Sequence, residues 1–273
     1  KQIFEVAIEN EVDKGDYSEY NIRLQAKKTL DAMKEAIKEG LSSTELSPSG
    51  MSGDDCDRLQ KRYSNNRSIL GTTAEKIMKY ALATSEQNLR MGTIAACPTA
   101  GSCGIVPSVL VAYAQDNKIK EDAEINALIT AGEVGRIISN KMALAGAVGG
   151  CQAECGVASA MAAAALTQMR GGTVKQIINA SALALKNVLG LTCDPVCGLV
   201  EIPCVKRNPF LAIHAVTASE LSMADIMSKI PPDEVVDAME QTGQLMSPLL
   251  KESSKGGLAT TKTALALAKN ILK

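Results

Sequence analysis

Very few aromatic rings are available to fill this chain's interior, and that constrains its fold most. Its 273 residues hold no Trp and only two Phe, so the bulk of any core must come from Ala, Ile, Leu, Val and Met. Side chains of that size fill space when helices pack closely, which points to an all-α fold. The hydrophobic periodicity agrees. Apolar residues three and four apart predict helices over 3–14, 20–39, 54–63, 72–89, 105–114, 121–139, 157–170, 174–189, 209–229, 233–244 and 261–272. Gly40 reads as a stop, Thr72-x-x-Glu75 as a capping box, and Pro231-Pro232 as a helix start. Only 199–202 hints at an extended segment, and prolines on both sides keep it short.

The length suits one domain over 1–273, with a peripheral helical part (1–90), a thiol-rich centre (91–208) and C-terminal helices (209–273). Lys and Arg number 29 against 30 Asp and Glu. Neither nucleic acid nor an anionic membrane surface is therefore attracted, and the shortage of rings leaves little on which bases can stack. No run reaches the ~18 apolar residues of a membrane span. The first residues, Lys1-Gln2-Ile3-Phe4-Glu5, carry acid before any apolar stretch and do not read as a signal peptide. A cytoplasmic location with reduced thiols is the expectation.

Eight cysteines then become the informative residues. Cys56 stands alone in the first part; the others crowd the centre. Cys97 and Cys103 flank Pro98-Thr99-Ala100-Gly101-Ser102. Cys151 and Cys155 lie in Gly149-Gly150-Cys151-Gln152-Ala153-Glu154-Cys155-Gly156. Cys193, Cys197 and Cys204 lie in Cys193-Asp194-Pro195-Val196-Cys197-Gly198 and Ile202-Pro203-Cys204-Val205-Lys206-Arg207-Asn208. Turns rich in Gly and Pro leave backbone amides free to point at sulfur, as iron–sulfur sites require. Zinc ranks second, because there is no Cys-x2-Cys pair and His214 is the only histidine. Cysteine is also a common small core residue, so spacing alone leaves burial and a metal site both open.

The three central motifs, together with the N-terminal helices and Lys255-Gly256-Gly257-Leu258-Ala259-Thr260-Thr261, resemble the alpha chain of two-subunit, iron–sulfur-dependent L-serine dehydratases. The resemblance spans nearly the whole sequence. It implies a mostly helical fold and a 4Fe-4S cluster held by Cys151, Cys193 and Cys204 with one iron open. It also implies a beta chain as partner and, by extension, an oligomer. Cys103, Cys155 and Cys197 occupy positions where the family usually has other small residues. Cys155 and Cys197 each lie four residues from an implied ligand, which leaves alternative ligation open.

The implied reaction takes L-serine to pyruvate and ammonia without pyridoxal phosphate. An open iron acting as Lewis acid would stabilise the departing hydroxide, and no lysine stands out for a Schiff base, Lys141 and Lys206 reading as surface charges. Thr99, Gly101 and Ser102 form a candidate carboxylate cradle. Arg207 and Asn208 are candidates to bind the substrate carboxylate or a cluster sulfide. Glu154 and Asp194 sit beside implied ligands, and His214, in an apolar run, reads as a packed core residue. The catalytic base is not legible. The Ser-Ser-His-Thr-type motif of the family's beta chain is missing from this sequence, which fits a site shared with a partner. Single-chain relatives carry a further cysteine near the C-terminus; the run 268–273 has none, so the fourth iron is expected to take water, a small ligand or another donor. A cysteine desulfidase and a non-catalytic zinc or thiol module are the competing readings.

Overall fold

The computed structural model describes residues 1–15 and 17–271. Twelve α-helices are described: α1 (Ile3–Asp13), α2 (Glu19–Ser42), α3 (Asp55–Asn65), α4 (Thr72–Leu89), α5 (Ile105–Asn117), α6 (Glu121–Ser139), α7 (Gly146–Gly149), α8 (Val157–Met169), α9 (Val174–Lys186), α10 (Cys204–Met223), α11 (Pro232–Leu245) and α12 (Lys262–Ile271). No strand occurs among the described residues; one isolated bridge pairs Cys193 with Lys251.

At the centre lies α8, whose residues from Val157 to Thr167 are all buried. Its alanines, from Ala162 to Ala165, present almost no side chain, so α5, α6, α9 and α10 pack around it. Short side chains bring helix axes close, and that lets so ring-poor a sequence close its core. Buried hydroxyls on this helix find partners: Ser159 Oγ donates to Leu211 O at 2.9 Å, and Thr167 Oγ1 donates to Ala163 O at 2.7 Å. No helix is long and apolar enough to cross a membrane among the described residues.

Four sequence expectations change. Gly40 does not end α2, which runs on to Ser42. It is a contact point instead, because a Cβ there would lie 2.1 Å from the carbonyl oxygen of Ala83 on α4. Gly40→Ala should therefore cost about 1–3 kcal/mol as the two helices are forced apart, read as a lowered urea midpoint. Thr72 is already helical, with Gly71 at the cap and no side-chain cap bond; Glu75 pairs with Lys79 at 3.5 Å. The segment 199–202 forms no ladder. Last, α10 begins at Cys204 rather than at Pro209, because Val205 N on Glu201 O (3.0 Å) and Arg207 N on Pro203 O (3.1 Å) already close its first turn. Pro209 sits inside the helix. Leu272, the expected end of α12, lies outside the described residues.

A candidate cluster site built from three cysteines

Three segments distant in sequence meet beside the start of α10. Cys151 follows the short α7 and opens a π-turn over Gln152–Gly156, a wide turn that often marks functional positions. Cys193 lies in the stretch after α9. Cys204 is the first residue of α10, where the positive end of the helix dipole favours a thiolate. All three are buried, at 1%, 4% and 8% exposure.

The residues beside these cysteines hold the segments together. Gln152, fully buried, donates from Nε2 to Met239 O at 2.8 Å and accepts from Gly190 N at 2.9 Å. Its own amide donates to Leu191 O at 3.0 Å. Cys151's segment is thereby tied to the one leading to Cys193. Arg207, one turn past Cys204, grips both neighbours of Cys193: Nη1 donates to Thr192 O at 2.7 Å and Nη2 to Asp194 Oδ1 at 2.9 Å. A C-terminal strap completes the clamp, with Cys193 N on Leu250 O at 2.9 Å and Glu252 N on Cys193 O at 2.7 Å. The amide of Leu258 donates to Asp194 Oδ2 at 2.8 Å.

The charges are arranged to suit bound thiolates. The hydrogen bond from Cys155 and the nearby Arg207 guanidinium hold the Cys151 thiol below its usual range. Burial pushes the Cys204 thiol up to about 12, reinforced by Cys151. Burial raises Cys193 as well, with Cys151 and Glu154 adding to it. Burial and the neighbouring Cys151 thus oppose ionisation of Cys193 and Cys204, so holding all three as thiolates calls for a cation. Glu154 is raised by burial, partly offset by Thr99 and the Gly146 amide. Its Oε2 lies 3.9 Å from Cys193 Sγ. Gly146 leaves room for both groups, since a Cβ there would lie 2.6 Å from Glu154 Oε2 and 2.9 Å from Cys193 Sγ and would push one of them aside.

The loop before α5 reaches the same place. Ser102 is buried, and its Oγ lies 3.2 Å from Thr99 Oγ1 and donates to Cys97 O at 3.1 Å. Asn208 pins the loop to α10: Oδ1 accepts from Gly104 N at 2.9 Å, and Nδ2 donates to Gly101 O at 2.9 Å and Cys204 O at 3.0 Å. Thr99, Gly101, Ser102, Arg207, Asn208 and the three cysteines are thus gathered in one region. Sequence reasoning missed Gln152 and the strap from Leu250 to Leu258. Gln152 and Leu258 belong to the quoted motifs, which say nothing about whose backbone they hold, and Leu250 and Glu252 carry no signal in the sequence.

The remaining candidates lie elsewhere or serve the core. Cys155 is buried with its Sγ 3.3 Å from Cys151 Sγ. Cys56 and Cys103 are buried against the carbonyls of Lys79 and Thr84. Cys197 is half-buried in a 3-10 turn at φ 59°. His214 Nε2 meets Ala184 O at 2.8 Å, which is a packing contact between α10 and α9. Lys141 pairs with Asp237 at 2.9 Å and Lys206 with Asp55 at 2.6 Å, on the outside.

Among the described residues no set of three His, Cys, Asp or Glu side chains converges on a single metal ion. A cubane asks for something different: separate thiolates, each on its own iron, spread around a core of several atoms. Three buried cysteines on three elements, with a guanidinium and a helix N-terminus to offset their charge, suit that group.

An all-helical chain with buried thiols gathered around the start of one helix defines a class: a helical protein built about a thiol centre. More narrowly, the chain belongs to the serine dehydratase alpha-chain family, whose profile matches residues 1–259. It is 44% identical over 269 residues to a probable L-serine dehydratase alpha chain of Bacillus subtilis, covering 98% of this chain and 89% of that one. It is 39% identical over 272 residues to the L-serine dehydratase alpha chain of Peptoniphilus asaccharolyticus, covering 100% and 93%. An L-serine dehydratase of Helicobacter pylori is 38% identical over 262 residues, which is 94% of this chain but 56% of that longer protein.

Proposed function

We propose that this chain is the cluster-bearing subunit of a cytoplasmic L-serine ammonia-lyase that yields pyruvate and ammonia, with Cys151, Cys193 and Cys204 as the ligands of a 4Fe-4S cluster. One observation carries the reading: Arg207, set one turn beyond Cys204 and beside Cys151, holds the residues on both sides of Cys193. A single side chain on the helix that begins with Cys204 thus braces both sides of Cys193 and sets its charge beside Cys151. When bound, the cluster would supply a Lewis-acidic iron to assist departure of the serine hydroxyl, a poor leaving group.

The chain's own residues orient and shield. Ala100 and Gly101 open the 3-10 turn that follows Thr99, so their amides have no partner within it and are free for a carboxylate. Asn208 keeps that turn at a fixed distance from Cys204. Glu154, whose carboxyl burial makes easier to protonate, lies between the turn and Cys193 and holds Thr99 in place. Burial of the thiols excludes water from the reacting centre. A beta chain completes the site and supplies the group that removes the α-proton.

The test is anaerobic reconstitution with iron and sulfide, followed by pyruvate assays on L-serine and L-cysteine, with and without a beta chain. About four irons per chain and serine turnover that depends on the beta chain support the proposal. One zinc, robust turnover by this chain alone, or faster release from cysteine would each overturn a stated part of it.

A further inference from the structure

We propose that Cys151 and Cys155 form a peroxide-sensitive pair, closing to a disulfide when no cluster occupies the site. Their sulfurs lie 3.3 Å apart, the one direct sulfur–sulfur contact among the described hydrogen bonds. The two residues are four apart and begin and nearly end the π-turn, so both side chains project from one face of the same turn. A disulfide needs a further approach of little more than 1 Å, within a single turn and with no movement of another helix.

Cys155 is not among the proposed cluster ligands. It is 2% exposed and faces Cys151 rather than solvent. Neither Cys193 nor Cys204 makes such a sulfur contact among the described hydrogen bonds; Cys193 Sγ meets Glu154 Oε2 at 3.9 Å. Of the three proposed ligands, only Cys151 has a thiol positioned to react with it. Burial does not bar the oxidant, because any route that admits iron and sulfide to Cys151 admits a molecule as small as hydrogen peroxide.

The chemistry balances with hydrogen peroxide as the oxidant. The Cys151 sulfur attacks one peroxide oxygen, the O–O bond breaks, and the sulfur becomes a sulfenic acid while the other oxygen leaves as water with the thiol proton. The Cys155 sulfur then attacks the Cys151 sulfur, the S–O bond breaks, and a second water leaves with the Cys155 proton. Two electrons pass from the sulfurs to peroxide. The product is reversible by thiols, whereas a lone sulfenic acid proceeds to sulfinic and sulfonic acids that are not.

The consequence for metal loading rests on Cys151 being a ligand, so two readouts are needed. Full-length chain is stripped of metal anaerobically, treated with hydrogen peroxide, alkylated without reduction and cut with trypsin. Peptide 142–170 contains Cys151 and Cys155 and no other cysteine. The expected peptide is two hydrogens lighter and carries no alkyl group; dithiothreitol before alkylation restores two. In Cys155→Ala, Cys151 should instead gain oxygen atoms. Wild-type peptide that is doubly alkylated after peroxide, or oxygenated at Cys151, would sink the pair. Iron uptake is measured separately: the disulfide form should take up none until reduced. Full uptake with the disulfide intact would leave the pair standing and remove Cys151 from the ligand set.

Discussion

Serine substituted singly for Cys151, Cys193 or Cys204 should abolish the brown iron–sulfur absorbance after reconstitution and, with it, serine turnover. The hydroxyl of serine is smaller than a thiol and does not ionise near neutral pH, so each variant leaves one iron without its thiolate. The loss should be complete at each position, because Gln152, Arg207 and the strap hold the three segments in one arrangement and leave no slack for two ligands to compensate for a third. Cys56→Ser and Cys97→Ser serve as controls. Both residues are buried, yet neither touches the three thiols, so their variants should keep the absorbance. Iron content per chain and the visible spectrum decide the matter. Cluster retention in Cys193→Ser together with loss in Cys197→Ser would reassign the ligand to Cys197.

Arg207→Lys should behave almost as badly as a ligand substitution despite keeping the charge. Arg207 uses two different nitrogens for two different jobs, Nη1 on Thr192 O and Nη2 on Asp194 Oδ1. A lysine ammonium is one point and cannot fork across both sides of Cys193. Asp194 is 4% exposed, and its other oxygen is committed to Leu258 N, so a misplaced cation leaves a buried carboxylate poorly compensated. Arg207→Ala removes the cation entirely; breaking a buried pair in this way costs about 3–5 kcal/mol. The lysine variant should fold, lose iron during gel filtration, and show turnover lowered by about 100-fold or more, on the scale of a misplacement of about 1 Å. The alanine variant should also unfold at lower urea. Wild-type iron content in Arg207→Lys would remove the bracing role.

The helices were legible because their signal is local. Residues 121–139 carry the apolar spacing and the acidic first turn of a helix without ambiguity, and α6 follows those bounds. The cysteine segments were legible as motifs. Their convergence was not, since period and spacing say nothing about which turn meets which. Gly40 shows the same limit on a smaller scale. A glycine at the end of an amphipathic run reads as a stop, and only the approach of α4 shows that the missing side chain makes room for Ala83 O. Gln152 and Arg207 were visible as polar residues next to cysteines. Their work is done on the carbonyls and amides of other segments, and a sequence does not display backbone partners. Asn208 reads in the sequence as a candidate for the substrate carboxylate or a cluster sulfide, and the structure gives its amide the further work of tying Gly104, Gly101 and Cys204 together.

The strap that holds Cys193 has a consequence for how the protein is made. All three thiols have been synthesised once Cys204 leaves the ribosome, but the carbonyl of Leu250 and the amide of Glu252 that hold the Cys193 backbone come dozens of residues later. A growing chain therefore owns its sulfurs before it can aim them. Iron delivery belongs after translation has passed the strap, when the backbone of Cys193 has its partners on Leu250 and Glu252.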